Sequence, residues 1–266
     1  MRDARRTRRR DDEAPADAVE TATPAPVAAL LALQRGVGNA AVARILARET
    51  ATAAPARPAL KGGKELDTML LKSSFFAPFI GPKMKNGIRA EGHVHMHDEE
   101  AFKAHALRYL EGKDNPKTGR VFTAEEAEKF EPTLRGFQDD TGDVRIQERR
   151  ADDGVVVHEA MHLFSSIAFV DAVGYSVNEG ATEVFARRLA SENAIMRAGF
   201  PQQHRLVAKL VAVVGANGEK LLAGAYFNNE LKPLEDALDR KKGAGTWRTW
   251  LGLMQEGKVD EVDALL

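Results

Sequence analysis

The ten residues VVVHEAMHLF at 155–164 constrain this chain more than any other stretch. Val155–Val157 and Leu163–Phe164 supply the apolar flanks of a helix that runs through a core, yet His158, Glu159 and His162 lie between them. Residues i and i+4 share one helix face, so the two imidazoles can reach a single metal ion. Glu159, next to the first histidine, can hold and deprotonate a metal-activated water and later carry the proton to a leaving amine. A Zn²⁺ ion there would bring the pKa of that water from far above physiological pH to near 7. On the pentapeptide alone, a helix with two exposed or otherwise satisfied histidines stays open.

The chain holds no cysteine, so any metal must be held by His, Asp or Glu. A catalytic zinc takes three protein ligands and keeps one position open. The third ligand is expected in NEGATEVFARR (178–188), on a helix of its own. Glu179 and Glu183 are again four apart and face one way. One can ligate the metal while the other hydrogen-bonds a ligating histidine. Gly180 would let this helix approach the His158–His162 helix closely. A competing use of Glu179 is a capping box with Ser176 as N-cap. Glu179 is the preferred ligand, with Glu183 as its supporting partner or the alternative ligand.

Around this centre the 266 residues fit one sizeable domain plus a tail. A hydrophobic content of 44% provides for a core, and a net charge of −1 favours no nucleic-acid partner. No stretch reaches the length of a membrane span; LVAKLVAVVGA (206–216) is too short and carries a lysine. Residues 1–26 are charged, then rich in Ala, Pro and Thr, and are expected to be disordered. Their arginine run is not followed by an apolar segment, so it is not a standard secretory signal. Two short helices are expected in 27–49, set off by a second linker at 50–63, so that 1–58 form a tail with a portable helical module and 59–266 the main domain. There, GHVHMHD (92–98) and DVRIQE (143–148) alternate as strands, Asp98 and Thr123 are placed as helix caps, and helices are expected over 155–170, 178–197, 201–214, 218–226, 230–240 and 246–256. The result is an α+β chain, mainly helical, with a small antiparallel sheet.

HEAMH followed by NEGATEVFA resembles the gluzincin metallopeptidases. The resemblance covers roughly 143–190 and implies a zincin-like fold, Zn²⁺ as cofactor, a protein or peptide substrate, and metal ligands His158, His162 and Glu179. Glu183 stands where thermolysin-like members support a ligand histidine. The gap between the motifs is somewhat shorter than usual there, which keeps Glu183 open as direct ligand. The resemblance also makes DVRIQE the edge strand that pairs with substrate. Such a site uses a donor for the oxyanion; Tyr226, Tyr175 and His204 are the candidates, with Tyr226 carried provisionally. Separately, LQRGVGNAAVARIL (33–46) resembles an N-terminal element of proteins linked to bacterial extracellular contractile injection systems, many of them toxins. This implies a cargo made in the cytoplasm and exported by such a particle, with 27–49 contacting a tube or loading component. The alternative is a non-catalytic component of the particle with a metal-stabilised fold. His93, His95 and His97 share one strand face and could hold a second metal with Asp98, but a solvated face is the preferred reading, since no other acidic residue is placed to complete a site. Trp247 and Trp250 are placed in the core.

Overall fold

The computed structural model describes residues 60, 62–115, 120–195 and 201–266. The expectations for 1–58, including the helix pair in 27–49, lie outside the described residues. Helices α1 (Gly63–Lys72) and α2 (Ala77–Lys85) lead to strand β1 (Val94–His97) and helix α3 (Glu99–Leu110). A short antiparallel pair, β2 (Asp114–Asn115) and β3 (Arg120–Val121), precedes α4 (Ala124–Phe130), β4 (Gly136–Gln138) and β5 (Val144–Gln147). The remainder is helical: α5 (Asp153–His162), α6 (Ile167–Val173), α7 (Tyr175–Glu192), α8 (Pro201–Val214), α9 (Gly218–Asn228), α10 (Leu231–Lys242), α11 (Thr246–Glu256) and α12 (Val259–Leu265). The architecture is α+β, mostly helical with a small three-stranded sheet.

Local signals placed the caps correctly. Asp98 accepts from the Ala101 N–H at 2.9 Å, and Thr123 forms a reciprocal capping box with Glu126. The sheet departs from expectation in two respects. It is mixed rather than antiparallel, and DVRIQE lies at its centre rather than its edge: the order is β1-β5-β4, with β1 parallel and β4 antiparallel to β5. The link between β4 and β5 is a tight turn in which Asp139 accepts from the backbone of Thr141 and Asp143, both at 3.0 Å, so that pair must be antiparallel. The link from β1 to β5 carries α3 and is long enough for a parallel crossover. Alternation within a strand is silent about this order.

The sheet separates two cores. Val94, Val144 and Ile146 face the larger, helical one. On the opposite face Phe137 packs edge-on against Phe102 and stacks on Tyr109, with ring centroids 5.5 and 4.5 Å apart. Trp247 and Trp250 are buried in the larger core, as expected.

Two helix boundaries also differ. The apolar run 155–170 is not one helix; α5 and α6 meet at 92°. Ser165 spends both its N–H and its hydroxyl on the His162 carbonyl, at 3.1 and 2.9 Å, and the Ser166 N–H donates to the Tyr226 carbonyl at 2.8 Å. These bonds replace the helical ladder. Helix α7 begins earlier than 178. Its N-cap is Gly174, at φ 75°, which puts Ser176 inside the helix and excludes the capping box with Glu179. No single described helix is long and apolar enough to cross a membrane.

Gly180 does mark a close approach, but to α8 instead of α5: a Cβ there would lie 2.5 Å from Val207 Cγ2 and 2.8 Å from the Gln203 carbonyl oxygen. Overpacking of this kind typically costs about 1–3 kcal/mol. Gly180→Ala is therefore expected to lower the denaturant midpoint by an amount in that range, with an unchanged slope; an unaltered midpoint would show that α8 yields freely.

Candidate metal centre

Helices α5 and α7 pack against each other and bring the two motifs together. The polar face of α7, formed by Asn178, Glu179, Thr182 and Glu183, is buried against α5. His158 Nε2 lies 3.2 Å from Glu179 Oε2, His162 Nε2 lies 3.3 Å from Glu179 Oε1, and the two Nε2 atoms are 3.3 Å apart. Ligands about 2.0–2.1 Å from a tetrahedral ion stand roughly 3.3 Å from one another, and the two Nε2 atoms and a Glu179 carboxylate oxygen all lie within 4.8 Å of one another, close enough to share one ion. Among the described residues, this is the only group of three or more His, Asp or Glu whose ligand atoms converge in this way. The buried Oε1 of Glu179 has no hydrogen-bond donor among the described residues, as suits an atom facing a cation. The buried His158, His162 and Glu179 could thus hold a metal ion. Burial alone would push the Glu179 carboxyl up, but His162 and His158 together hold it well below the ordinary carboxylate range.

Each imidazole is supported through its other nitrogen. His158 Nδ1 lies 3.1 Å from Glu183 Oε2, and the Arg187 guanidinium donates to Glu183 Oε1 at 2.7 Å. With a metal ion on Nε2, a carboxylate in that position would hold the proton on Nδ1 and so fix the tautomer that leaves the Nε2 lone pair for the metal. His162 Nδ1 lies 3.3 Å from Thr182 Oγ1 and 3.4 Å from Asn178 Nδ2. Sequence reasoning missed Asn178, Thr182 and Arg187, although Asn178 and Thr182 repeat at i and i+4 one position ahead of the glutamate pair.

Glu159 is almost fully buried, and its Cγ would sit 3.0 Å from a Cβ placed on Gly136. Glu159 is therefore packed against the backbone of β4, an element the sequence reading did not identify. Tyr226 is not open to the site. It is completely buried, its hydroxyl 2.8 Å from Thr182 Oγ1 and donating to the Met161 carbonyl at 3.2 Å. That removes it as an oxyanion donor. Tyr175 is placed differently, at the first residue of α7 and 41% exposed. Desolvation of its hydroxyl, then the charge of Glu179, raise its pKa well above the ordinary phenol value, with Tyr109 and Glu159 adding to the shift. Its hydroxyl stays protonated at neutral pH, near Glu179 and Glu159. His204 lies on α8, outside the triad.

The β1 histidines do not gather into a second centre. His93 Nδ1 pairs with Asp143 at 2.9 Å, His95 Nε2 lies 3.5 Å from the same carboxylate, and His97 packs its ring on His105 of α3 at 4.7 Å. Asp98 is occupied as the α3 cap.

No protein-family model, curated protein or solved structure matches this chain.

Glu179→Ala leaves two imidazoles to hold a metal, whereas Glu183→Ala removes only a supporting partner, a change that typically costs about 10–100-fold in affinity. In parallel chelator titrations Glu179→Ala is expected to lose metal first and Glu183→Ala to retain it. The reverse order would make Glu183 the ligand.

Proposed function

We propose that the chain is a zinc-dependent endopeptidase of zincin-like fold, with Glu159 as general base. The convergence of His158, His162 and Glu179 beside a buried glutamate on a sheet edge carries this reading. Two imidazoles and one carboxylate are a donor set suited to zinc. A zinc ion held there supplies Lewis acidity, lowering the pKa of water in the open fourth position to near 7 and polarising a carbonyl.

The chain's own residues do the rest. Glu159 accepts the proton of the attacking water and returns it to the leaving amine. Tyr175, kept protonated, donates to the carbonyl oxygen as negative charge builds on it. The substrate-pairing strand is β4 in place of DVRIQE. The Gln147 N–H donates to the Arg135 carbonyl at 2.9 Å and the Asp139 N–H to the Asp143 carbonyl at 2.8 Å, with Phe137 opposite Arg145 between them. The backbone groups of Gly136 and Gln138 consequently point away from β5. An extended peptide added on that side would run past Glu159, with main-chain bonds setting its position. Because Gly136 is buried, the edge is recessed, which favours an unfolded segment over a folded loop as substrate.

The resemblance of 33–46 to injection-system proteins supports a toxin or effector role, with residues 27–49 as the loading element. Deletion of 1–58 is expected to leave peptidase activity intact while abolishing co-sedimentation with sheathed particles from producing cells; undiminished co-sedimentation would remove the loading role.

Glu159→Gln keeps the shape of the base but cannot accept a proton at neutral pH. It is expected to retain zinc and lose about two to four orders of magnitude in kcat on a denatured protein. Tyr175→Phe should lower kcat about 10²–10³-fold with KM little changed. Parental turnover in Glu159→Gln would show that Glu159 is not the base.

A further inference from the structure

The buried hydroxyls behind His162 have no part in the proton transfers above. We infer that Thr182 and Tyr226 form a hydroxyl relay that commits His162 to its Nδ1–H tautomer and so aims the Nε2 lone pair at the metal position. This rests on the metal-centre reading, and it makes both side chains positioning residues.

The direction of the relay follows from which atoms carry protons. A carbonyl can only accept, so the 3.2 Å bond to Met161 uses the Tyr226 proton. The Thr182 proton goes to Tyr226 Oη or to the Asn178 carbonyl, each at 2.8 Å. Either choice leaves Thr182 Oγ1 a lone pair 3.3 Å from His162 Nδ1, able to accept a proton carried there. Asn178 points the same way. With its amide nitrogen toward Nδ1 at 3.4 Å, its buried Oδ1 lacks a donor among the described residues. Turning the amide end for end would give Oδ1 the Nδ1 proton.

The anchor is rigid. Tyr226 is fully buried with its ring edge-on to Phe169 and Phe227, at 5.4 and 4.8 Å. Met161 precedes His162 on α5, so the relay returns to the helix that carries the ligand. The two ligands are supported by different means: an ion pair, Glu183 with Arg187, fixes His158, and neutral hydroxyls fix His162.

The experiment uses the full chain. Thr182→Val removes the hydroxyl at constant shape, Thr182→Ser restores it, and Tyr226→Phe keeps the ring. By chelator competition, Thr182→Val is expected to weaken zinc binding about 10–100-fold, Tyr226→Phe by less, and Thr182→Ser to recover most of the loss. A purely steric role would not be rescued by serine. In zinc-free protein at alkaline pH, ¹⁵N spectra should show the His162 proton on Nδ1 in the parent and shifting toward Nε2 in Thr182→Val, with His158 unchanged. Parental zinc affinity in Thr182→Val and Tyr226→Phe, or an Nε2-protonated His162 in the parent, overturns the relay. Should the parent bind no zinc while the tautomer still shifts in Thr182→Val, the relay stands and the metal reading fails. If the parent binds no zinc and the tautomer does not shift in Thr182→Val, both fail.

Discussion

Two fully buried carboxylates one helical turn apart, Glu179 and Glu183, constrain how the central helices of this fold can pack. Taking an ionised carboxylate out of water costs several kcal/mol unless charge and hydrogen bonds offset it. Helix α5 supplies much of the offset. His158 lies between the two carboxylates, one on each ring nitrogen, while His162 meets Glu179 and Arg187 meets Glu183. Helices α5 and α7 therefore have essentially one way to pack. Shifting either by a turn would strand a charge in the core, and the polar stripe on α7 is tolerable only in the observed arrangement.

The α8 side of α7 is fixed by sterics. Gly180 admits the backbone of α8, and no larger residue fits without displacing Val207 or the Gln203 carbonyl. One helix thus carries an electrostatic constraint on one side and a steric one on another. That combination explains why a helix with so many polar residues can be central to a helical core.

Much of the centre was legible because it depends on spacing. The i, i+4 pairs His158/His162 and Glu179/Glu183 follow from helical periodicity, as do the caps at Asp98 and Thr123. What remained illegible depends on partners distant in sequence. The strand order could not be read, since Val144–Gln147 alternates equally well at a centre or an edge. Tyr226 could not be separated from Tyr175, because both are tyrosines on helices and only the packing of α9 on Phe169 and Phe185 shows which one is enclosed. The break after His162 hid in an apolar run because Ser165 and Ser166 act through backbone bonds, one of them to a residue some sixty positions away.

Gly136 and Phe137 link Glu159 to the second core through register. Side chains alternate along a strand, so sliding β4 by one residue would exchange their faces. Phe137 would then point at the space where Gly136 allows Glu159 to sit, and the stack on Tyr109 and Phe102 would lose its central ring. A slip would therefore damage the small core and crowd Glu159 in one step, which leaves no misregistered form of β4 that is both well packed and able to accommodate Glu159. The aromatic cluster on the far side of the sheet acts as a proofreading device for the strand that faces the site.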